Sequence, residues 1–328
     1  MDWALLNPSI LLIDRRKGCM MFAFILKRIL EFIPVLFAIS LLSFLVFYFD
    51  SADPVVMIAG ENATPELEMQ IRERLGLDQP PHIQYLVFLG NALRGDLGTS
   101  YRSRQPVTSH VLPAFRATLY FTGVALIFVI CIGVPAGILS ATRPNSVLDN
   151  IVMSSVLVGL SAPIFWIAII FIYVFALRLG WLPSGGLHTW QGVILPALTM
   201  GLHYGAIVAR ITRTSMLDIL KDDFIRTARS KGISEQGVFY RHALKNASLP
   251  IVTTIGLQIA SMLGGTILVE TVFAWPGLGR MLVRAILERD APIVQAGVLV
   301  IAFAVVSLNI ATDILYAYLN PRIRLNQS

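Results

Sequence analysis

Six stretches without Asp, Glu, Lys or Arg divide this chain: residues 32–49, 117–142, 150–177, 192–209, 246–269 and 291–312. Each approaches or exceeds the roughly 20 apolar residues that a helix needs to cross bilayer hydrocarbon. In lipid a backbone must satisfy its own polar groups, so runs of this length become helices. The 328 residues are 55% hydrophobic and 14% charged, against about 25% charged in a soluble domain. The expected fold class is therefore an all-α polytopic membrane protein with six transmembrane helices. Pro34, Pro135, Pro163, Pro196 and Pro250 lie within the spans. Proline inside a span permits kinks, and the neighbours Gly264 and Gly265 permit close helix contacts.

Basic residues orient the spans. Lys27 and Arg28 precede the first, which places the N-terminus in the cytoplasm under the positive-inside rule. With six crossings, the inner segments carry Arg15, Arg16, Lys17, Lys27, Arg28, Arg143, Arg210, Arg213, Lys221, Arg226, Arg229, Lys231, Arg241, Lys245, Arg322 and Arg324, sixteen of the twenty-six Lys and Arg. The long outer segment 50–112 carries five Arg against eight acids. Residues 1–20 are expected to hold little defined structure, either as a cytoplasmic extension or because the true start is Met21, the favoured reading over Met1. The two cysteines, Cys19 and Cys131, show no metal-ligand spacing. Cys131 is expected to pack as a small apolar residue.

The outer segment contains helix signals. Thr64 can cap, Pro65 suits the first helical position and Gly76 can terminate, while Leu67, Ile71 and Leu75 share one face. A second short helix is expected after Pro80 and Pro81, using Ile83 and Val87. The run Gly95-Asp96-Leu97-Gly98-Thr99-Ser100 is glycine-rich but lacks the Gly-Lys-Ser/Thr ending of a phosphate loop, so it reads as a turn. In 270–290, Leu278, Met281, Leu282, Ala285 and Ile286 fall on one helical face, with Arg280, Arg284 and Glu288 opposite. That segment is expected to be an amphipathic helix at the outer membrane surface.

Between the fourth and fifth spans, 211–248 is charged and helix-compatible. The spacing predicts one helix from Arg213 to Lys231, broken by Gly232 in the left-handed conformation. Ser234 then caps a second helix, with Glu235 in its first turn. Phe224, Ile225, Ile233, Val238 and Phe239 are too apolar for a freely solvated loop, which points to a socket on another protein.

At this loop the chain resembles a known family. Asp-x-x-Arg-Thr-Ala-Arg-x-Lys-Gly over 223–232, then Arg-His-Ala-Leu-x-Asn-Ala over 241–247 and Leu-Pro at 249–250, look like the cytoplasmic loop of ABC importer permeases of the peptide/nickel family, dipeptide permease B type. The general motif of such permeases is Glu-Ala-Ala, three residues, Gly, nine residues and Ile-x-Leu-Pro. It matches only Ala228, Gly232 and Leu244; Arg226, Thr227, His242 and Lys245 depart from it. Also similar are Gly95-Asp96-Leu97-Gly98, the run Glu-Thr-Val-Phe-x-Trp-Pro-Gly-Leu-Gly over 270–279 and Asn-Pro-Arg-Ile-Arg over 320–324. The resemblance spans about 21 to 324.

The resemblance implies a type I ABC importer permease fold in a bacterial inner membrane, with both termini cytoplasmic. It implies a second homologous permease subunit, two cytoplasmic ATPase subunits that hold ATP and Mg, and a periplasmic substrate-binding protein. In that family a short helix of this loop sits in a groove on the ATPase. The coupling residues carried over are Asp223, Phe224, Arg226, Thr227, Ala228, Arg229, Lys231 and Gly232. Gln258, Gly264 and Gly265 are pathway candidates on polarity and small size. Dipeptides, oligopeptides, glutathione and nickel chelates all fit as substrates. The chain divides into an extension (1–20), first span plus outer segment (21–113), a five-span core with the coupling loop (114–319) and a tail (320–328).

Two other classes compete. An ion-coupled secondary transporter commonly places ionisable residues within its spans. Here His203 is the only titratable side chain well inside one, apart from Cys131 and tyrosines such as Tyr173, and a lone His there is more often packed than a relay. A membrane-embedded enzyme finds no His-Glu-x-x-His and no acid pair within the spans, so no catalytic or metal residues are assigned. Nucleic-acid binding is excluded because the net charge of +6 is not gathered into a basic cluster with base-stacking aromatics.

Overall fold

The computed structural model describes residues 8–49, 54–60, 63–187 and 189–319, with side chains from 26 to 314. Among them every regular element is helical: α1 (Pro8–Tyr48), α2 (Pro54–Ala59), α3 (Pro65–Leu75), α4 (Pro81–Leu93), α5 (Thr108–Thr142), α6 (Val147–Ser161), α7 (Ile164–Phe171), α8 (Ile194–Ile219), α9 (Asp223–Ser230), α10 (Leu244–Val272), α11 (Leu278–Leu287) and α12 (Ala291–Leu319). Among the described residues five helices are long and apolar enough to cross a membrane, and a sixth crossing is counted if α6 and α7 form one span.

That sixth span, expected over 150–177 with Pro163 permitting a kink, is sharply broken. It is bent by 106° between α6 and α7. Pro163 cannot donate to the preceding turn and pushes Ala162 out of the helical region, where it is extended. The span then ends in a π-helical turn, Ile172–Arg178. The N-terminal expectation changes. Residues 8–20 belong to α1 and continue into the first span, because the apolar run 10–13 and the basic residues after it are all compatible with a helix. The tail 320–328 lies outside the described residues.

The centre of the bundle is the α5–α8 pair. Gly133 and Gly137 on α5 face Gly205 and Ala209 on α8, within two copies of a small-xxx-small-xxx-small spacing, 133/137/141 and 201/205/209. A Cβ on Gly133 would lie 2.6 Å from the Gly205 carbonyl oxygen, and one on Gly137 would lie 2.6 Å from that of Ala209. Without side chains there, the two backbones approach to contact. Phe121, Val129, Leu195, Met200 and Val208 complete this core with no exposed surface. Cys131, expected to pack, is instead exposed on the far side of α5.

The outer segment follows its sequence signals. Thr64 Oγ1 accepts the Leu67 N–H, and Gly76 closes α3 with φ 67°. The glycine-rich loop is a tight turn in which Asp96 Oδ1 accepts the Gly98 N–H at 2.9 Å. Buried Asp290 clamps this loop to the start of α12, accepting hydrogen bonds from the Ser100 hydroxyl and the Tyr101 N–H. Burial, with Asp290 nearby, pushes the Tyr101 hydroxyl pKa up.

α11 is the expected amphipathic helix. Leu278, Leu282 and Ala285 are buried, while Arg284 pairs with Glu288 at 2.8 Å and holds that carboxyl below its usual range. Ile286, expected on the buried face, is exposed. The N-terminus of α11 is held by Glu270, a fully buried carboxylate at the end of α10. Glu270 accepts the Gly279 N–H at 2.7 Å, the Arg280 N–H at 3.2 Å and the Thr118 hydroxyl at 2.7 Å. Trp275, also fully buried, donates its indole N–H to the Ala117 carbonyl at 3.0 Å. These bonds are what the run over 270–279 does: it ties α10, α11 and α5 together at one end of the bundle.

Candidate functional site: the loop between the fourth and fifth spans

The loop's first half is not one helix. α8 runs without interruption from the membrane core to Ile219, the chain breaks over 220–222, and α9 occupies only Asp223–Ser230. Asp222 is extended, and Ile225 and Arg226 donate their N–H groups back to its carbonyl at 3.1 and 3.4 Å. The break turns α9 away from the α8 axis, which a single continuous helix could not do.

The end of α9 is as the sequence predicts. Gly232 has φ 76°. Its N–H reaches the Arg229 carbonyl at 2.9 Å and the Ile233 N–H reaches that of Ala228 at 3.3 Å. This pair of bonds is the Schellman motif, and glycine at its left-handed position avoids the Cβ penalty. A Cβ on Gly232 would meet nothing within 4 Å, so the requirement is conformational and not steric crowding. Ser234 Oγ then accepts the Gly237 N–H at 3.3 Å, capping the next segment. Arg229 reaches across the turn to Glu235 with two hydrogen bonds, 2.9 and 3.2 Å. Both side chains are largely exposed, so the pair contributes under about 1 kcal/mol; its effect is to fix the angle between α9 and the π-helical turn Gly237–Ala243.

The two faces of α9 differ sharply. Ile225 is fully buried and Ala228 is 5% exposed. Asp223, Phe224, Arg226, Thr227, Arg229, Lys231 and Gly232 are exposed. Ala228 thus differs from the other coupling candidates in that its methyl faces the rest of the chain. The reading of the loop's apolar surplus is corrected. Ile225 and Val238 are in the protein's own core, with Ile233 and Phe239 packed against it, because the π-helical turn folds back on α9. Phe224 remains 41% exposed, and Tyr240, not singled out from the sequence, is 59% exposed.

Ten residues before α9, Arg213 grips the opposite side of the bundle. Its Nε and Nη2 donate to Asp149 Oδ1 and Oδ2 at 2.8 and 2.7 Å. Asp149 is 2% exposed and also accepts the Ser140 hydroxyl and the Asn145 N–H. The ends of α5, α6 and α8 are thus locked together where α9 begins. Asp149 and Glu270 are buried carboxyl groups at the edges of the charge-free runs, one residue outside 150–177 and 246–269. Both lie in helices that extend beyond the charge-free runs, and both are saturated by local donors. His203 itself lies 3.1 Å from the Gly159 carbonyl through Nδ1, a packed, hydrogen-bonded histidine.

The pathway candidates separate. Gln258 is half-buried and Gly264 is exposed with nothing within 4 Å of a Cβ. A Cβ on Gly265 would collide with the Tyr204 hydroxyl, so that glycine is there for close packing against α8. Among the described residues no group of His, Cys, Asp and Glu is placed to hold a metal ion.

Comparison with known proteins agrees with this architecture. Residues 133–325 match the family described as "Binding-protein-dependent transport system inner membrane component". Residues 21–122 match "Binding-prot-dependent transport system membrane comp, N-term". The "Glutathione transport system permease protein GsiC" of Escherichia coli (strain K12) is 42% identical over 304 residues, 93% of this chain and 99% of that protein. The "Dipeptide transport system permease protein DppB" of Alkalihalophilus pseudofirmus is 41% identical over 332 residues, 93% of this chain and 100% of that protein. A chain of the MetNI methionine ABC transporter in an inward-facing conformation superposes with a TM-score of 0.56 at 20% identity, covering 65% of this chain and 97% of that one. At that identity the likeness speaks for fold alone.

Proposed function

The chain belongs to the family of binding-protein-dependent transport system inner membrane components, the permease subunits of ABC importers, and from that premise we propose that it carries di- or oligopeptides, or a related small solute such as glutathione, from periplasm to cytoplasm. The substrate class rests on the names of the relatives over 90% of the chain. Transport proceeds by alternating access, driven by ATP bound with Mg on two cytoplasmic ATPase subunits. This chain binds no cofactor of its own; its sequence has no phosphate loop. A second homologous permease completes the pathway and a periplasmic binding protein delivers the substrate.

The observation that carries the coupling role is the two-faced geometry of α9. One face is seated in the bundle by Ile225 and Ala228, and the other presents Phe224, Arg226 and Thr227 outward. A helix docked in that way moves with the bundle, so a push on Phe224 is passed to α8 and, through Arg213 and Asp149, to α5 and α6. Both termini lie in the cytoplasm in this reading. It is supported by the ion pair between Arg28, at the start of the first span, and Asp313, near the end of α12, at 3.2 Å.

Uptake by the reconstituted complex tests the proposal. With the binding protein present, labelled dipeptide or glutathione enters proteoliposomes when ATP is supplied and not when only a proton or sodium gradient is imposed. Uptake on a gradient alone overturns it.

A further inference from the structure

The outer segment contains one helix whose composition does not suit water. α4 (Pro81–Leu93) has no Asp, Glu, Lys or Arg, whereas α3, five residues earlier, has Glu66, Glu68, Arg72, Glu73 and Arg74. The buried side of α4 is Tyr85, 6% exposed. Its ring lies 5.9 Å from that of Phe37 and 5.4 Å from that of Phe44, both on α1. Its hydroxyl is 2.8 Å from Ser40 Oγ. Ser40 donates its own proton to the Phe37 carbonyl at 2.8 Å, so Tyr85 is the donor in the pair.

The depth of that bond is set by α1. Phe47 packs against the cluster that holds Ile293 and Val294, in the first turn of α12. Arg28 pairs with Asp313 near the other end of the same helix. Ser40 lies seven residues inside Phe47, about 10 Å of helical rise below the outer end of the span. The Tyr85 side chain therefore reaches down to hydrocarbon level, and α4 lies against the outer half of α1. The other side of α4 carries Ile83, Leu86, Val87 and Leu93, all exposed, Leu93 to 82%. α1, against which α4 packs, likewise exposes Leu42, Val46 and Phe49 in its outer half, at 62%, 65% and 76%. Of the five unbroken candidate spans among the described residues, α1 is the least buried.

We propose that α4 is embedded in the outer leaflet of the bilayer, with Ile83, Leu86, Val87 and Leu93 among lipid acyl chains, Tyr85 fastening it to α1 and α3 left in water. An uncharged helix with apolar residues on both sides gains from this placement what it would lose in water, since moving exposed aliphatic surface from water into lipid is favourable in proportion to its area. The inference depends on α1 being a span and not on which solute is transported.

Site-directed spin labelling of the complete transporter in lipid vesicles tests it. Leu86→Cys and Leu93→Cys are compared with Met69→Cys on α3 and Leu42→Cys on α1, in a background with Cys19 and Cys131 replaced by Ser. The readout is collision of the nitroxide with oxygen, which concentrates in lipid, against a nickel chelate confined to water. The expected result is oxygen-dominated relaxation at 86 and 93, matching position 42, with nickel-dominated relaxation at 69. Nickel access exceeding oxygen access at 86 and 93 overturns the proposal. So does exclusion of both reagents, which would mean that another protein surface covers the face.

Discussion

Arg213 and Asp149 share two parallel hydrogen bonds of 2.8 and 2.7 Å across the end of the bundle from which α9 projects. The planar guanidinium fork meets both carboxylate oxygens, a geometry that lysine cannot reproduce. Because Asp149 also holds Ser140 and the Asn145 backbone, one carboxylate joins α5, α6 and α8. The bent span and the docking helix are thereby parts of one frame.

Asp149→Asn removes the charge and leaves Arg213 without its ion partner. Breaking a buried pair costs about 3–5 kcal/mol, and Arg213 keeps some solvent access, so the lower figure applies. Thermal unfolding of the purified complex should show a clear fall in midpoint. Arg213→Lys should lie between the variant and the parent. An unchanged midpoint in Asp149→Asn contradicts the joint's importance.

The α5–α8 contact gives a contrast between glycines on one helix. Gly137→Ala places a methyl 2.6 Å from the Ala209 carbonyl oxygen, whereas a Cβ on Gly123 meets nothing within 4 Å. Overpacking of this kind costs about 1–3 kcal/mol. Gly137→Ala should melt at lower temperature in detergent and Gly123→Ala should not. Equal behaviour of the two argues against backbone contact between the helices.

Glu270→Ala strips the acceptor from the Gly279 and Arg280 N–H groups and the Thr118 hydroxyl, leaving buried donors at a cost of about 1–3 kcal/mol each. Amide hydrogen exchange over 278–287 should accelerate. Glu270→Gln retains one acceptor oxygen and should show a smaller increase. Slow exchange in Glu270→Ala would show that α11 does not depend on this carboxylate.

At Gly232 the strain is conformational. Gly232→Val forces a β-branched residue into the left-handed region at a cost of roughly 1–2 kcal/mol, while Gly232→Asn tolerates it. Ala228→Asp buries a charge against the core and should unseat α9. Uptake per ATP hydrolysed should fall in Gly232→Val and Ala228→Asp and stay near wild type in Gly232→Asn, with membrane insertion intact in all three. Full coupling in Gly232→Val would contradict the role of the turn.

The spans, the outer helices, the α11 phase and the Gly232 turn were legible because each rests on a local rule: a charge-free run, a cap, a helical period, a left-handed glycine. The break at 220–222 was not, since the apolar helical spacing runs on through 217–228; its local signal is Asp222, a favoured N-cap residue that takes that position for α9. The inward face of α9 was misread: Ile225 and Val238 look like a socket's ligands until the π-helical turn covers them. The burial of Asp149 and Glu270 is not legible in the sequence because they sit at the edges of charge-free runs, where an acid looks like a loop residue. The glycine spacings at 133, 137, 201 and 205 were readable, but which helix faces which was not.

ATP-driven uptake by proteoliposomes carrying Phe224→Asp tests the central claim most directly. Phe224 is exposed, so the substitution should leave insertion, permease pairing and the fold unchanged. The account predicts that uptake falls by at least about tenfold, the range in which removal of one interface anchor is felt, while the variant is present at wild-type level. Wild-type uptake by this variant would contradict it.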